Sequence, residues 1–231
     1  MEGHYDNESQ TAYEHDSESP YHNQKEKPKL NIHATTFLDL GCGNGELLFL
    51  LREKGGFGGG TGMLGLDYSP ASVDLARRIA VGRNLAPSVR FEVWDVMAQE
   101  PGAWLPSSNS NSKSKSGVKS GGEGGKGFDI VLDKGTFDAI SLSSDLDESG
   151  RRVFETYPAK VLPLVRRGGL LIVTSCNWTE GELEGWFVGR GGGGGGEVEE
   201  GFEKYGRIEY PRFRFGGMEG QSVSSVVFRR K

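Results

Sequence analysis

FLDLGCGNGELLF, residues Phe37 to Phe49, reads as a buried strand that runs into a glycine turn and then opens a helix. A strand end, a tight turn and a helix N-terminus together make a cradle for a nucleotide. Gly41, Gly43 and Gly45 let the backbone turn sharply and approach a ligand closely, and Asp39 stands at the carboxyl end of the strand beside them. The spacing selects the ligand. A dinucleotide fold uses G-x-G-x-x-G, with a pyrophosphate resting on the helix N-terminus, whereas Gly45 is followed here by Glu46, so an anion would meet a carboxylate. An acid two residues before the first glycine suits a ligand with a cationic ammonium and sulfonium, which points to S-adenosylmethionine rather than NAD, although such turns also occur for plain packing.

Three further apolar runs end in an acid. In MLGLDYS, Asp67 lies 22 residues beyond Gly45, the distance at which a βαβ unit brings a carboxylate to a ribose diol, with Tyr68 beside it. VRFEVWDV places Asp95 and Val96 at a strand end, where the carboxylate or the neighbouring backbone can meet an adenine edge. FDIVLDKGTFDAI carries the fourth acid, Asp133. In a parallel sheet ligands bind outside the carboxyl ends of the strands, so one cofactor could touch Asp39, Asp67, Asp95 and Asp133 together.

These motifs resemble those of the class I, seven-stranded S-adenosylmethionine-dependent methyltransferases. Within that group DLGCGNGELLF at Asp39, VLDKGTFDAISLS at Val131, LIVTSCNWTEGELEGWF at Leu171 and the ending from Arg212 are similar to the lysine methyltransferases of translation elongation factor 1-alpha. The resemblance implies S-adenosylmethionine as cofactor, a protein-lysine substrate, namely elongation factor 1-alpha, and no metal. One departure stands out: nothing before Asp39 resembles the aromatic and acidic N-terminal part of that family, and the first tryptophan is Trp94. A cofactor-binding protein without catalysis is therefore the alternative reading.

Composition narrows the class. A chain of 231 residues suits one α/β domain, and a net charge of -5 leaves no basic footprint for nucleic acid. The first 30 residues are polar and no eighteen-residue apolar run occurs, so neither a signal peptide nor a membrane span is expected. The expected protein is a cytoplasmic monomer, with nuclear access open. The two cysteines, Cys42 and Cys176, make neither a zinc site nor a disulfide framework. All four histidines, His4, His15, His22 and His33, precede the first core strand, so the folded region can build neither a Ser-His-Asp nor a Cys-His pair.

Along the chain, residues 1–34 are expected to be disordered and 35–231 to form the methyltransferase domain, with flexible inserts at 107–127, rich in Ser, Gly and Lys, and at 189–200. Strands are expected at Thr36–Leu40, Met63–Asp67, Val89–Val93, Asp129–Asp133, Leu170–Ser175, Lys204–Tyr210 and Ser222–Phe228. Helices are expected near Gly45–Lys54, Pro70–Val81, Phe154–Val165 and Thr179–Val188. Strand then helix, repeated, gives a Rossmann-like α/β sheet, mostly parallel, with an antiparallel last strand.

The chemistry implied is an in-line displacement, in which orientation and exclusion of water supply most of the acceleration. Asp133 is the expected recruiter of a lysine ammonium, a role in orientation rather than deprotonation, because a carboxylate raises the pKa of the amine it binds. Asn177 and Trp178, just after the fifth strand, either line an acceptor channel or serve as a helix cap and a packed ring. Phe137 is expected in the core and Lys134 on the surface.

Overall fold

The run that begins at Phe37 forms β1 (Phe37–Leu40), and all four of its residues are buried because it lies inside a parallel sheet covered on both faces. The sheet continues with β2 (Met63–Asp67), β3 (Val89–Val93), β4 (Phe128–Lys134), β5 (Val165–Ser175) and β6 (Phe202–Ile208). A separate antiparallel pair, β7 (Phe213–Phe215) and β8 (Met218–Gly220), precedes the last strand, β9 (Ser224–Arg230). The strand order is β3-β2-β1-β4-β5-β9-β6, and β9 runs antiparallel to both of its neighbours. This is the seven-stranded sheet that the sequence implies; the two-stranded pair was not foreseen. The computed structural model describes residues 31–57, 62–86, 88–106, 125–188, 200–210, 213–215, 218–220 and 223–231.

Alternation along β1 divides the core. Leu38 and Leu40 join a cluster with Val131, Phe137, Tyr157, Phe187 and Phe228, whereas Phe37 joins Phe49, Met63, Val73 and Phe91 on the other side. The second cluster is roofed by α1 (Glu46–Glu53) and α2 (Pro70–Gly82). Ser69 starts α2: its hydroxyl accepts the Ser72 N–H at 3.3 Å, and Pro70 occupies the first turn, where no N–H is needed.

Between β4 and β5 the chain departs from expectation. Thr136–Ser141 forms a short helix, α3, which the sequence pattern did not suggest. The single helix expected over Phe154–Val165 is instead a 3₁₀ turn at Val153–Thr156, then α4 (Tyr157–Val161), then a second 3₁₀ turn at Leu162–Leu164. Pro158 and Pro163 explain the two breaks, since neither has an N–H to continue the helical ladder from the turn before it. Strand β5 also starts earlier than expected: Val165 pairs with Phe128, the register then shifts, and pairing resumes at Leu170 with Ile130. The last helix, α5 (Glu180–Phe187), opens with a capping box in which Thr179 and Glu182 satisfy each other's backbone amides.

The expected disordered segment lies outside the described residues over 1–30, while residues 31–34 form a turn in which the Ala34 N–H reaches the Asn31 carbonyl. The two inserts likewise lie outside them at 107–124 and 189–199. The flanks of the first are described, and the Gly127 N–H donates to the Pro106 carbonyl at 3.1 Å.

Phe187 anchors α5 to the sheet. Its ring stacks on Phe228 with centroids 5.0 Å apart and meets Phe137 edge-on at 5.2 Å. Replacing it with Ala should remove burial and leave a cavity, lowering the unfolding free energy by about 3 to 5 kcal/mol in urea titration. A loss below about 1 kcal/mol would mean that α5 is held by other contacts.

Candidate active site

The carboxyl ends of β1, β2 and β4 surround a cavity of about 720 Å³. Gly41 lies at its base with φ +63°, and a Cβ there would land on the Thr136 hydroxyl, so the turn tolerates only glycine. Thr136 Oγ1 donates to the Leu40 carbonyl at 2.7 Å, which draws the start of α3 against the end of β1. The glycine turn is tied to β2 as well. The Cys42 N–H donates to the Leu66 carbonyl at 3.0 Å and the Gly43 N–H to Asp67 Oδ2 at 2.9 Å.

Five of the residues expected to hold a cofactor line this cavity: Gly41, Asp67, Tyr68, Asp95 and Val96. The Asp67 carboxylate is almost wholly buried and is oriented by the Gly43 and Ser69 N–H groups, one on each oxygen at 2.9 Å. Each oxygen retains a lone pair for a further donor. Tyr68 is 74% exposed at the rim. Asp95 Oδ1 accepts the Met97 and Ala98 N–H groups at 2.8 and 3.2 Å, which shapes the turn after β3. Apolar walls come from Leu66, Val96, Met97, Ile140 and Val153, residues suited to a planar base. The sequence pattern did not single out Met97, in the turn after β3, or Ile140, Ser143, Asp145 and Val153, because the segment after β4 carries no periodicity.

Asp39, Gly43 and Gly45 are not cavity-lining residues. Asp39 is buried beneath the turn, and among the described residues no hydrogen-bond donor reaches it. Burial, then the carboxylates of Asp133 and Asp67, push it up to about 8, with Lys134 pulling the other way. Lys134 lines the cavity and is exposed. Three acids so close, with one Lys134 cation opposing them, make a site that a cationic ligand would relieve. The residues present therefore fit a positively charged nucleoside ligand, with hydroxyls for Asp67 and a base for the apolar walls.

Asp133 is 1% exposed, and both of its oxygens are engaged. Oδ2 accepts the Tyr157 hydroxyl at 2.6 Å and the Phe137 N–H at 3.2 Å; Oδ1 accepts the Thr136 N–H at 2.9 Å and the Phe137 N–H at 3.2 Å. Burial raises its carboxyl to about 6 against the pull of those donors. Asn177 is exposed just beyond β5, and Trp178 is packed against Phe137, Phe154 and Trp186 with its indole N–H donating to Ser141 Oγ at 3.2 Å. Neither lines the cavity. Phe137 is buried, as expected.

One residue that organises this edge escaped the sequence reading. Asp138, on α3, is buried; its carboxylate accepts the Ser175 hydroxyl and the Cys176 N–H, and Ser175 Oγ in turn accepts the Asn177 and Trp178 N–H groups at 3.1 and 2.9 Å. The turn after β5 is thereby locked to α3. An acid at the second position of FDAI gave a clue, but the partner lies 37 residues away.

Known proteins place this arrangement. A family model described as a methyltransferase domain matches residues 32–212. A protein-lysine N-methyltransferase of Schizosaccharomyces pombe, efm4, is 34% identical over 83% of this chain and 68% of its own length. The human EEF1A lysine methyltransferase 2 is 33% identical over 84% of this chain and 64% of its own length. Among solved structures, a TehB-like SAM-dependent methyltransferase from Corynebacterium glutamicum shares the fold with a TM-score of 0.52 and 19% identity, covering 86% of this chain and 82% of the other.

The pKa of Asp39 sets a pH dependence. Its folded value lies above the ordinary value of 3.8, so the folded protein holds more protons than the unfolded chain between about pH 4 and 8, and stability falls as pH rises through that window. Asp39→Asn should remove that part of the loss. The difference in unfolding free energy between the variant and the wild type should move in the variant's favour from pH 5 to pH 8, by at most about 1.4 kcal/mol per pH unit. Parallel pH profiles in urea titrations would contradict it.

Proposed function

The chain belongs to the methyltransferase domain family, alongside its protein-lysine N-methyltransferases, and on that premise we propose that it transfers methyl groups from S-adenosylmethionine to a lysine of translation elongation factor 1-alpha. The observation that carries the reading is the cavity at the carboxyl edge, where buried Asp67 is preset by the glycine turn. The relatives named for the same reaction supply the substrate. The protein acts as a monomer in the cytoplasm, with nuclear access open, on a protein rather than on nucleic acid or membrane. Among the described residues no helix is long and apolar enough to cross a membrane.

Each residue has a part in holding the reactants. Asp67 accepts the ribose hydroxyls, and Asp95 with the Val96 N–H meets the adenine edge between the apolar walls. Gly41, Gly43 and Gly45 shape the turn that admits the cofactor, Tyr68 covers its outer side, and Asp39, held protonated beneath the turn when the site is empty, ionises more readily once a cation sits above it. When bound, S-adenosylmethionine supplies an electrophilic methyl on a sulfonium. The lysine must arrive neutral, and with a pKa of about 10.4 only roughly one amine in a few thousand is so at pH 7, a gap of about 4 to 5 kcal/mol. Desolvation in the cavity narrows that gap, and the proton leaves to water.

Asp133 acts as a positioning residue. Its oxygens are occupied by Tyr157, Thr136 and Phe137, so its contribution passes through the placement of α3 and the 134–136 turn. Trp178 supports α3 from behind, within the aromatic cluster and through its indole N–H on Ser141, and Asn177 stands exposed beyond it.

Asp67→Ala should remove two charge-assisted hydrogen bonds and weaken cofactor binding by about 2 to 4 kcal/mol in calorimetry. Wild-type protein incubated with labelled S-adenosylmethionine and purified elongation factor 1-alpha should place label on lysine. Unchanged affinity in Asp67→Ala would overturn the assignment of that residue, and wild-type protein that binds the cofactor but labels no lysine would overturn the enzymatic reading.

A further inference from the structure

Beyond α3, the segment from Leu142 to Val153 completes the wall of the cavity. Ser143, Asp145 and Val153 line the cavity, while Leu142 and Leu146, which flank Asp145 in sequence, are 75% and 62% exposed. These two solvent-facing leucines beside the opening offer apolar surface that a partner entering the cavity would cover.

The segment is ordered by its own hydrogen bonds. Asp147 Oδ1 accepts the Ser149 and Arg151 N–H groups at 2.9 and 3.0 Å, and its own N–H donates to the Arg151 carbonyl at 2.7 Å. Leu146 and Arg152 form an antiparallel bridge. The Arg152 guanidinium donates to the Ser141 and Ser143 carbonyls at 2.8 Å each and lies over the Phe154 ring. The leucines are therefore presented on a braced loop, and little ordering entropy remains to be lost when a partner covers them.

Charge identifies the partner. Three acids line the cavity; Asp67, with one backbone N–H on each oxygen, is committed to the ribose hydroxyls, and Asp95 Oδ1 accepts two backbone N–H groups. Asp145 is exposed and accepts the Ser143 hydroxyl on one oxygen, and neither it nor Glu148 has a cation partner among the described residues. Asp133, by contrast, has no oxygen facing a visitor.

Resting on the methyltransferase reading, we infer that the 142–152 loop is the docking surface for the lysine-bearing segment of the protein substrate. Leu142 and Leu146 take its apolar residues, and Asp145 draws the lysine ammonium to the cavity mouth. Asp145 recruits the charged amine and does not deprotonate it; the proton leaves to water once the amine passes beyond its reach.

The test uses the full chain and purified elongation factor 1-alpha. Leu142→Ser with Leu146→Ser should raise KM for the elongation factor roughly 10-fold, because two leucine side chains would no longer leave water on binding. The turnover number, the S-adenosylmethionine affinity and the melting temperature should stay near wild type. Asp145→Asn should also raise KM, and Asp145→Glu should restore most of the loss. Binding of the elongation factor to the protein saturated with S-adenosylhomocysteine should weaken in parallel, independently of turnover. Wild-type KM and binding in these variants would overturn the docking surface while leaving the methyltransferase reading intact. Wild-type protein that neither binds nor methylates the elongation factor would overturn that reading, and the docking surface with it.

Discussion

The buried Asp133 carboxylate is the contact on which the carboxyl edge of this sheet depends. A carboxylate at 1% exposure survives only if its oxygens are satisfied, and here the Tyr157 hydroxyl and the Thr136 and Phe137 N–H groups satisfy them. Those donors come from α3 and α4, so a single side chain pins both helices to the end of β4. With α3 fixed, Thr136 reaches the Leu40 carbonyl, Gly41 has no room for a side chain, and the cavity acquires its base. The same helix carries Asp138, which holds Ser175 and through it the turn after β5.

This arrangement packs carboxyl groups together where burial and their neighbours oppose ionisation. Asp39 is raised to about 8 by burial and by its neighbours, a cost in stability that a cationic ligand converts into affinity. The glycine turn serves the same end by orienting Asp67 before any ligand arrives. Binding then reorganises little, which is what a reaction governed by alignment requires.

Much of the fold was legible because its signals are local. Met63–Asp67 and Val89–Val93 are continuous or alternating apolar runs, and both strands occur with those bounds. Ser69-Pro70 announced α2 by its capping chemistry. What could not be read depends on contacts distant in sequence. The exception is the interrupted helix around α4, which follows from Pro158 and Pro163, local signals masked by an apolar spacing that continues across them. Six-residue α3 has too few positions for a period, and it is held by Asp133 and by the Leu40 carbonyl 96 residues away. Acids at strand ends were recognised as a set, but a sequence does not tell whether a carboxylate faces a cavity, as Asp67 does, or is consumed in holding helices, as Asp133 is. Asp145 carried no signal at all, since its place at the cavity mouth depends on the Leu146 to Arg152 bridge.

The most direct measurement of the central claim is a double-mutant cycle on unfolding free energy between Asp133→Asn and Tyr157→Phe. If the hydroxyl and the carboxylate hold the edge together, each single variant should lose stability, and the pair should show a coupling of about 1 to 3 kcal/mol. A coupling near zero, with Asp133→Asn as stable as wild type, would contradict the account and return Asp133 to direct contact with the substrate.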